Sequence, residues 1–176
     1  MKVDPTLTVI ETERLLLRHL TPNDAPFILD LLNQPSFLQF IGDRGVRTLD
    51  DARQYIAKGP AASYARHGFG LYLTALRASG EPVGLCGLIK RDTLPDVDVG
   101  YAFLPQFWAK GYATEAATAV LAYGRQTLHI PRIIAIVNPD NAGSIAVLQK
   151  VGLRFEKMVR LSEDEPEVLL FTPGAD

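Results

Sequence analysis

A single cysteine, Cys86, stands among 176 residues, so no internal disulfide framework can form. Histidines number only three, His19, His67 and His129; scattered as they are, with one cysteine, they do not make a structural zinc site, and no metal is expected. No apolar run approaches the ~20 residues that a bilayer-spanning helix needs. Neither sign of charge is in excess: 18 basic against 20 acidic residues leave a net charge of −2. That balance argues against nucleic acid or an anionic membrane as partner, while leaving room for a local basic pocket. Internal repeats, linkers and low-complexity segments are missing too. The opening MKVDPTLTVIETERLLLRHL is broken by Glu11, Glu13 and Arg14 and has no small-residue cleavage site. It does not read as a signal peptide, and the cytoplasm is the default location.

What is present is ordinary globular composition, 47% hydrophobic and 22% charged. The length suits one domain over residues 1–176 with a core over 10–172. A chain of this size buries roughly two-thirds of the surface it exposes when unfolded.

The pattern predicts a first strand over 12–20. Thr21, Pro22 and Asp24 then start a helix that Pro35 is expected to stop. Residues 37–47, with two glycines and no period, read as a loop. Thr48 caps a second helix that runs on toward Arg66 in broken form, since Gly59-Pro60 interrupts it. Three strands follow, over 69–77, 83–91 and 97–104, with turns at Gly80 and Pro95. An alanine-rich helix over 111–127, a buried strand over 131–137 and a helix over 141–151 come next, closed by Gly152. A terminal hairpin pair occupies 153–161 and 168–171. The order implies an α/β (mixed α+β) fold: a mixed, mostly antiparallel twisted sheet of about seven strands flanked by about four helices.

The most informative stretch is YAFLPQFWAKGYATEA, residues 101–116. A strand ends, and a short loop passes through Lys110-Gly111 into a helix. The first turn of a helix leaves its N–H groups unpaired at the positive end of the dipole, where a diphosphate can lie. Ala109, Gly111 and Ala113 are small at alternate positions, which allows close approach, and Lys110 adds a cation. The same residues also fit an ordinary strand-to-helix turn. Downstream, Asn141 can cap the next helix or hydrogen-bond a ligand between the two helices, and Ser144 follows on roughly the same face.

Together these segments resemble the GCN5-related N-acetyltransferase (GNAT) superfamily. Gly111-Tyr112-Ala113 matches the end of its diphosphate motif, Gln/Arg-x-x-Gly-x-Gly/Ala, while Trp108 stands where Gln or Arg is usual. The run from Trp108 to Ala116 is similar to the branch of ribosomal-protein N-terminal acetyltransferases, RimJ and RimL among them. So are Thr12-Glu13-Arg14-Leu15-Leu16-Leu17-Arg18, the run from Asn138 to Ser144, and Lys150-Val151-Gly152-Leu153. The resemblance implies two parallel strands that splay into a V, and acetyl-CoA as cosubstrate. Backbone groups of Ala102, Phe103 and Leu104 would pair with its pantetheine arm. Amides of Ala109, Lys110, Gly111, Tyr112, Ala113 and Thr114 would hold its diphosphate, and Asn141 and Ser144 would line the arm's other side. The implied reaction is acetyl transfer to a primary amine, a protein N-terminus or a small molecule, by direct attack.

For that reaction the Phe103 N–H is the expected donor to the developing oxyanion. The tyrosine that many members place seven residues after the asparagine is Leu148 here, so Ser144 or a water is the expected acid. Asp98, at the start of its strand, is the expected base, or else a solvated strand end. Glu115 and Asp96 are the other carboxylates near. Tyr101 can line the acceptor pocket or pack. In the loop, Asp43 can hold an ammonium, and Arg44 and Arg47 a carboxylate, unless all three simply face solvent. Cys86 reads as core, and His67 as structural. The alternative function is a non-catalytic acyl-CoA-binding module on the same scaffold. The chain is expected as a monomer or homodimer.

Overall fold

The structure is a computed structural model and describes residues 5–174. One sheet of eight strands has the order β1-β2-β3-β4-β5-β6-β8-β7. The strands are β1 (Thr8–Glu11), β2 (Leu15–Arg18), β3 (Leu71–Leu76), β4 (Pro82–Ile89), β5 (Val97–Phe103), β6 (Ile133–Val137), β7 (Leu153–Val159) and β8 (Val168–Pro173). The helices are α1 (Ala25–Leu32), α2 (Pro35–Phe40), α3 (Leu49–Ile56), α4 (Ala62–His67), α5 (Tyr112–Gln126) and α6 (Ala142–Lys150). All pairings are antiparallel but one, β5 with β6. The mixed, mostly antiparallel α/β fold expected from the pattern is the one observed.

Side chains alternate along each strand and so feed two cores. Leu15, Leu17, Tyr72, Val99 and Phe103 pack with Val120 and Leu121 of α5 and Leu148 of α6 on one face. Leu73, Ala75 and Leu85 pack with Ile28, Leu31 and Leu32 of α1 and Ile56 of α3 on the other. Each large side chain buried this way contributes about 1.5–3 kcal/mol. Helices cover both faces at the centre of the sheet, which leaves functional groups to emerge where strands end or separate.

They separate between β5 and β6. Only two rungs join this pair, Val97 to Ile133 and Asp98 to Ile134. Beyond them β5 stays with β4 as far as Phe103, while Ala135, Ile136 and Val137 of β6 pair with β8. A wedge opens between the two strands.

Four details differ from the sequence expectation. The first strand is a hairpin: Thr12 turns the chain, its N–H donating to the Leu15 carbonyl and its hydroxyl accepting from the Leu15 N–H. This adds β1 and makes eight strands. Pro35 begins α2 instead of stopping α1, because a missing N–H costs nothing at the first helical position. Residues 37–40, expected as loop, therefore belong to a helix. Finally, Gly59-Pro60 does not break the helix. A π turn over Ala57–Ala61 absorbs the proline and joins α3 to α4.

The sheet's tightest crossing is at Gly87 of β4. A Cβ there would lie 2.1 Å from the Gly70 carbonyl oxygen and 2.7 Å from the Leu71 Cα, both backbone atoms. Gly87→Ala must push β3 from β4. It is expected to cost about 1–3 kcal/mol, read as a lower urea midpoint; an unchanged midpoint would show that the two strands can separate freely.

Candidate active site

After β5 a short 3-10 turn, Pro105–Phe107, leads into the loop that starts α5. Gly111 has φ +81°, in the left-handed region, and a Cβ on it would lie 3.2 Å from Arg14 Nη2. Glycine is the residue that fits. Ala109 also has positive φ, 59°, so the loop curls tightly. The first bond of the helix runs from the Glu115 N–H to the Gly111 carbonyl, and no side chain caps this end. Among the described residues the N–H groups of Tyr112, Ala113 and Thr114 therefore have no acceptor, at the positive end of a 15-residue helix.

Arg14 holds this loop from outside. Its Nη1 donates to the Lys110 carbonyl at 2.9 Å and its Nε to Glu115 Oε1 at 2.7 Å. Glu115 Oε2 accepts from the Arg14 backbone N–H and from the Thr12 hydroxyl. The guanidinium also lies over the Tyr112 ring, 4.5 Å from its centroid. Burial pushes the Glu115 carboxyl up, but the donors from Thr12 and Arg14 outweigh it and hold the group below its ordinary range. The clamp is thus intact above that range and loosens as pH falls through the lowered value. A groove of about 550 Å³ beside the loop is lined by Arg14, Gly111, Thr114 and Lys150, among others.

The wall of the wedge on the β5 side follows from strand parity. The Leu104 N–H donates to the Val83 carbonyl at 3.0 Å, so even-numbered residues of β5 turn their backbone groups to β4. Odd-numbered ones, Tyr101 and Phe103, turn theirs to the gap. This corrects the expectation for Ala102 and Leu104: the Ala102 groups and the Leu104 N–H are turned to β4, and the Leu104 carbonyl accepts from the Phe107 N–H. The Phe103 carbonyl accepts the indole N–H of Trp108 at 2.9 Å. Its N–H is the donor that faces the wedge.

On the opposite wall, Asn141 caps α6, its side-chain oxygen accepting from the Ser144 N–H at 3.2 Å. The Ser144 hydroxyl donates to Tyr101 Oη at 2.9 Å, and the Tyr101 hydroxyl donates to the Ser144 carbonyl at 2.9 Å. Tyr101 thus ties β5 to the first turn of α6. Burial pushes its phenol far up despite the Ser144 bond, so it stays protonated. Leu148 is 1% exposed and belongs to the core. Cys86 is fully buried, and burial pushes its thiol far up. His67 stacks on Phe69.

Asp98 sits at the last rung before the strands part, 1% exposed, and its Oδ1 accepts from Arg91 Nε at 3.0 Å. It is no solvated strand end. Burial raises its carboxyl above the ordinary aspartate value, with Arg91 opposing. Asp96 is paired with Arg132. Asp43 and Arg47 are spent on each other: Arg47 Nη2 lies 2.6 Å from Asp43 Oδ2, and the Gly45 N–H donates to Asp43 Oδ1. Arg44 has no ion pair among the described residues. Sequence reasoning missed Arg14 and Arg91. Arg14 lies in a quoted motif, but only its contact across 101 positions with Glu115 reveals its role.

The family model described as acetyltransferase (GNAT) domain matches residues 14–154. The uncharacterized N-acetyltransferase YnaD of Bacillus subtilis (strain 168) is 30% identical over 147 residues, 84% of this chain and 83% of that one. The acetyltransferase of Agrobacterium tumefaciens str. C58 superposes with a TM-score of 0.81 at 26% identity, covering 99% and 96% of the two chains. A RimL ribosomal L7/L12 alpha-N-protein acetyltransferase solved with coenzyme A shares the fold, with a TM-score of 0.79 at 18% identity over 94% and 96%.

If the Arg14–Glu115 clamp shapes the uncapped turn, Glu115→Gln and Arg14→Ala should each weaken coenzyme A binding by about tenfold, with circular dichroism unchanged. Calorimetry measures this; wild-type affinity in both variants would mean the loop holds its own shape.

Proposed function

The chain belongs to the GNAT acetyltransferase family, and on that premise we propose that it moves an acetyl group from acetyl-CoA to a primary amine, a protein N-terminus or a small molecule, within one domain and without a covalent enzyme intermediate. The observation that carries the proposal is the uncapped first turn of α5 standing beside a parted pair of strands. The residues present fit the cosubstrate. Three unpaired amides and the Lys110 cation suit a diphosphate, and glycine at 111 permits the left-handed turn that leaves those amides uncapped. Tyr101 and Phe103 offer backbone groups to an extended amide-bearing arm, and Asn141 and Ser144 close its other side.

Acetyl-CoA, when bound, supplies the activated acetyl group. The chain's own residues do the rest. The Phe103 N–H faces the charge that gathers on the acyl oxygen, a donor worth about 3–4 kcal/mol in comparable sites. Ser144 is the acid at the sulfur. Tyr101 behind it positions the hydroxyl and, held protonated by burial, can donate to Ser144 Oγ when that hydroxyl turns toward the wedge. Asp98 removes the proton from the incoming ammonium. Its Oδ1 is held by Arg91, leaving Oδ2 for the amine. Cys86, buried and protonated, forms no acyl intermediate.

Titration with acetyl-CoA followed by thiol release across an amine panel tests this. Gly111→Glu should abolish binding, since a side chain at φ +81° is strained and would meet the Arg14 guanidinium, pulling the turn and its amides out of shape. Tight binding with no amine-dependent thiol release would return the chain to the alternative, a non-catalytic acyl-CoA-binding module.

The base has its own signature. The Asp98 carboxylate forms as pH rises through a value above the ordinary 3.8, so the rate should climb with pH over that limb. Asp98→Asn should remove the limb and slow turnover by about 100-fold or more. A pH profile with the limb still present would assign the proton to water. Ser144→Ala should slow turnover more than it weakens binding.

A further inference from the structure

Resting on the acetyl-transfer reading above, we infer that Trp108 is a displaceable latch on the edge of β5. Its indole holds the Phe103 carbonyl until an incoming arm offers an amide N–H in its place, so this one side chain selects for a cosubstrate with an amide-bearing arm.

The argument begins with what the bond does for each partner. The indole N–H donates to the Phe103 carbonyl oxygen at 2.9 Å. Phe103 is 7% exposed, and strand parity turns its carbonyl away from β4, beyond the two rungs that β5 shares with β6. Neither neighbouring strand supplies that carbonyl with a donor, and the indole does. Trp108 is in the opposite position. It is 49% exposed, and an indole so open can give its N–H to water instead. The bond serves the strand edge more than it serves the indole, and the indole can leave it at little cost.

The chain around Trp108 is held in place. The Phe107 N–H donates to the Leu104 carbonyl, and the Trp108 backbone N–H to the Pro105 carbonyl. Just beyond, the Lys110 carbonyl accepts from Arg14 Nη1 at 2.9 Å. Release is therefore a turn of the side chain about its own bonds, with the amides of Tyr112, Ala113 and Thr114 left where they are.

The order of groups along β5 says what releases it. The Phe103 N–H comes first, and the Phe103 carbonyl follows in the direction of the loop that starts α5. Acetyl-CoA has a matching order: after its thioester come two methylenes and then an amide N–H. With the acyl oxygen on the Phe103 N–H, the next polar group of the arm is a donor, and the next group of the strand is an acceptor already in use. An arm with that N–H replaces one donor by another and sends the indole to water. A nucleotide diphosphate without the arm can meet the amides that open α5 and still leave the latch shut. A ligand moves an equilibrium only by binding its two states differently, and the amide N–H supplies that difference here.

Trp108 is the only tryptophan in the chain, so nitrogen-labelled protein gives a single indole N–H signal in a magnetic resonance spectrum. Exchange of that proton with solvent should quicken by about tenfold when coenzyme A saturates the protein. The nucleotide portion of coenzyme A, with its diphosphate but no arm, should move the amide signals of Tyr112, Ala113 and Thr114 and leave the indole rate as it was. Trp108→Phe keeps a ring and removes the donor. By calorimetry it should bind coenzyme A about threefold more tightly and the nucleotide portion equally, whereas a bond that merely shapes the site would make the variant bind more weakly. Unchanged or slower indole exchange with coenzyme A bound, the same acceleration by the nucleotide portion, or a folded Trp108→Phe that binds coenzyme A no more tightly overturns the latch. Where Trp108→Phe does not fold, exchange in the wild-type protein decides. Failure of the acetyl-transfer reading shows differently: the indole responds to coenzyme A, yet no amine releases its thiol. Absence of any coenzyme A binding overturns both.

Discussion

Everything functional in this chain depends on β5 leaving β6 after two rungs. A parallel pair that continued would bury its own edge and leave nothing for a ligand. Parting the strands exposes backbone donors and acceptors inside the molecule, which is costly unless something else pairs them. The fold limits that cost in two ways. β6 pairs with β8 as it diverges, so its other edge is satisfied along Ala135 to Val137. β5 keeps β4 to Phe103, and Trp108 swings back to occupy the Phe103 carbonyl. What is left open is narrow: the inward groups of Tyr101 and the N–H of Phe103. On the proposed reading, an amide-bearing arm extending the strand would pair with these groups.

The second constraint is that the two walls of the gap belong to elements far apart in sequence. Their alignment is enforced by short polar links, not by the core alone. Tyr101 fastens β5 to α6 through both the hydroxyl and the carbonyl of Ser144. Arg14 and Thr12 fasten the β1–β2 turn to the start of α5 through Glu115. An arginine that bonds a loop carbonyl, a helix carboxylate and an aromatic face at once fixes the loop in one shape. This explains why a residue with no place in the chemistry sits in so recognisable a stretch as Thr12-Glu13-Arg14-Leu15.

Much of the fold is legible in the sequence. Period-2 and period-3.6 patterns place seven of the eight strands and the two long helices, because those elements bury a face and must repeat at the period of their geometry. What escapes follows from physics that pattern does not encode. Proline stops or starts a helix according to what precedes it, so Pro35 reads either way. Proline inside a helix can be absorbed by one wide turn, as at Pro60. The site divides along the same line. Gly111 and Asn141 are legible because a helix start has local rules. Strand parity is not, and it decides that Tyr101, and not Ala102 or Leu104, turns its backbone to the gap. Side-chain pairing is the least legible of all. Asp43, Arg44 and Arg47 look equivalent in a loop of charges, and only coordinates show two of them neutralising each other and the third left over.

Among the described residues Asp98 is the most deeply buried carboxylate. A carboxylate with 1% exposure is expensive, and pairing it with one arginine recovers only part of the loss. A purely structural need would be met as well by an apolar pair of similar volume, so stability alone does not account for an Asp98–Arg91 bond at this rung. Placement does. Asp98 stands at the last joined rung, beside the point where the strands part, and Arg91 holds its Oδ1 there. The burial that raises the Asp98 carboxyl makes it a better proton acceptor than an exposed aspartate, and the arginine offsets part of the raising. One ion pair thus sets both the basicity of Asp98 and the position of the cation beside it, and on the proposed reading that carboxylate is the group that meets the amine.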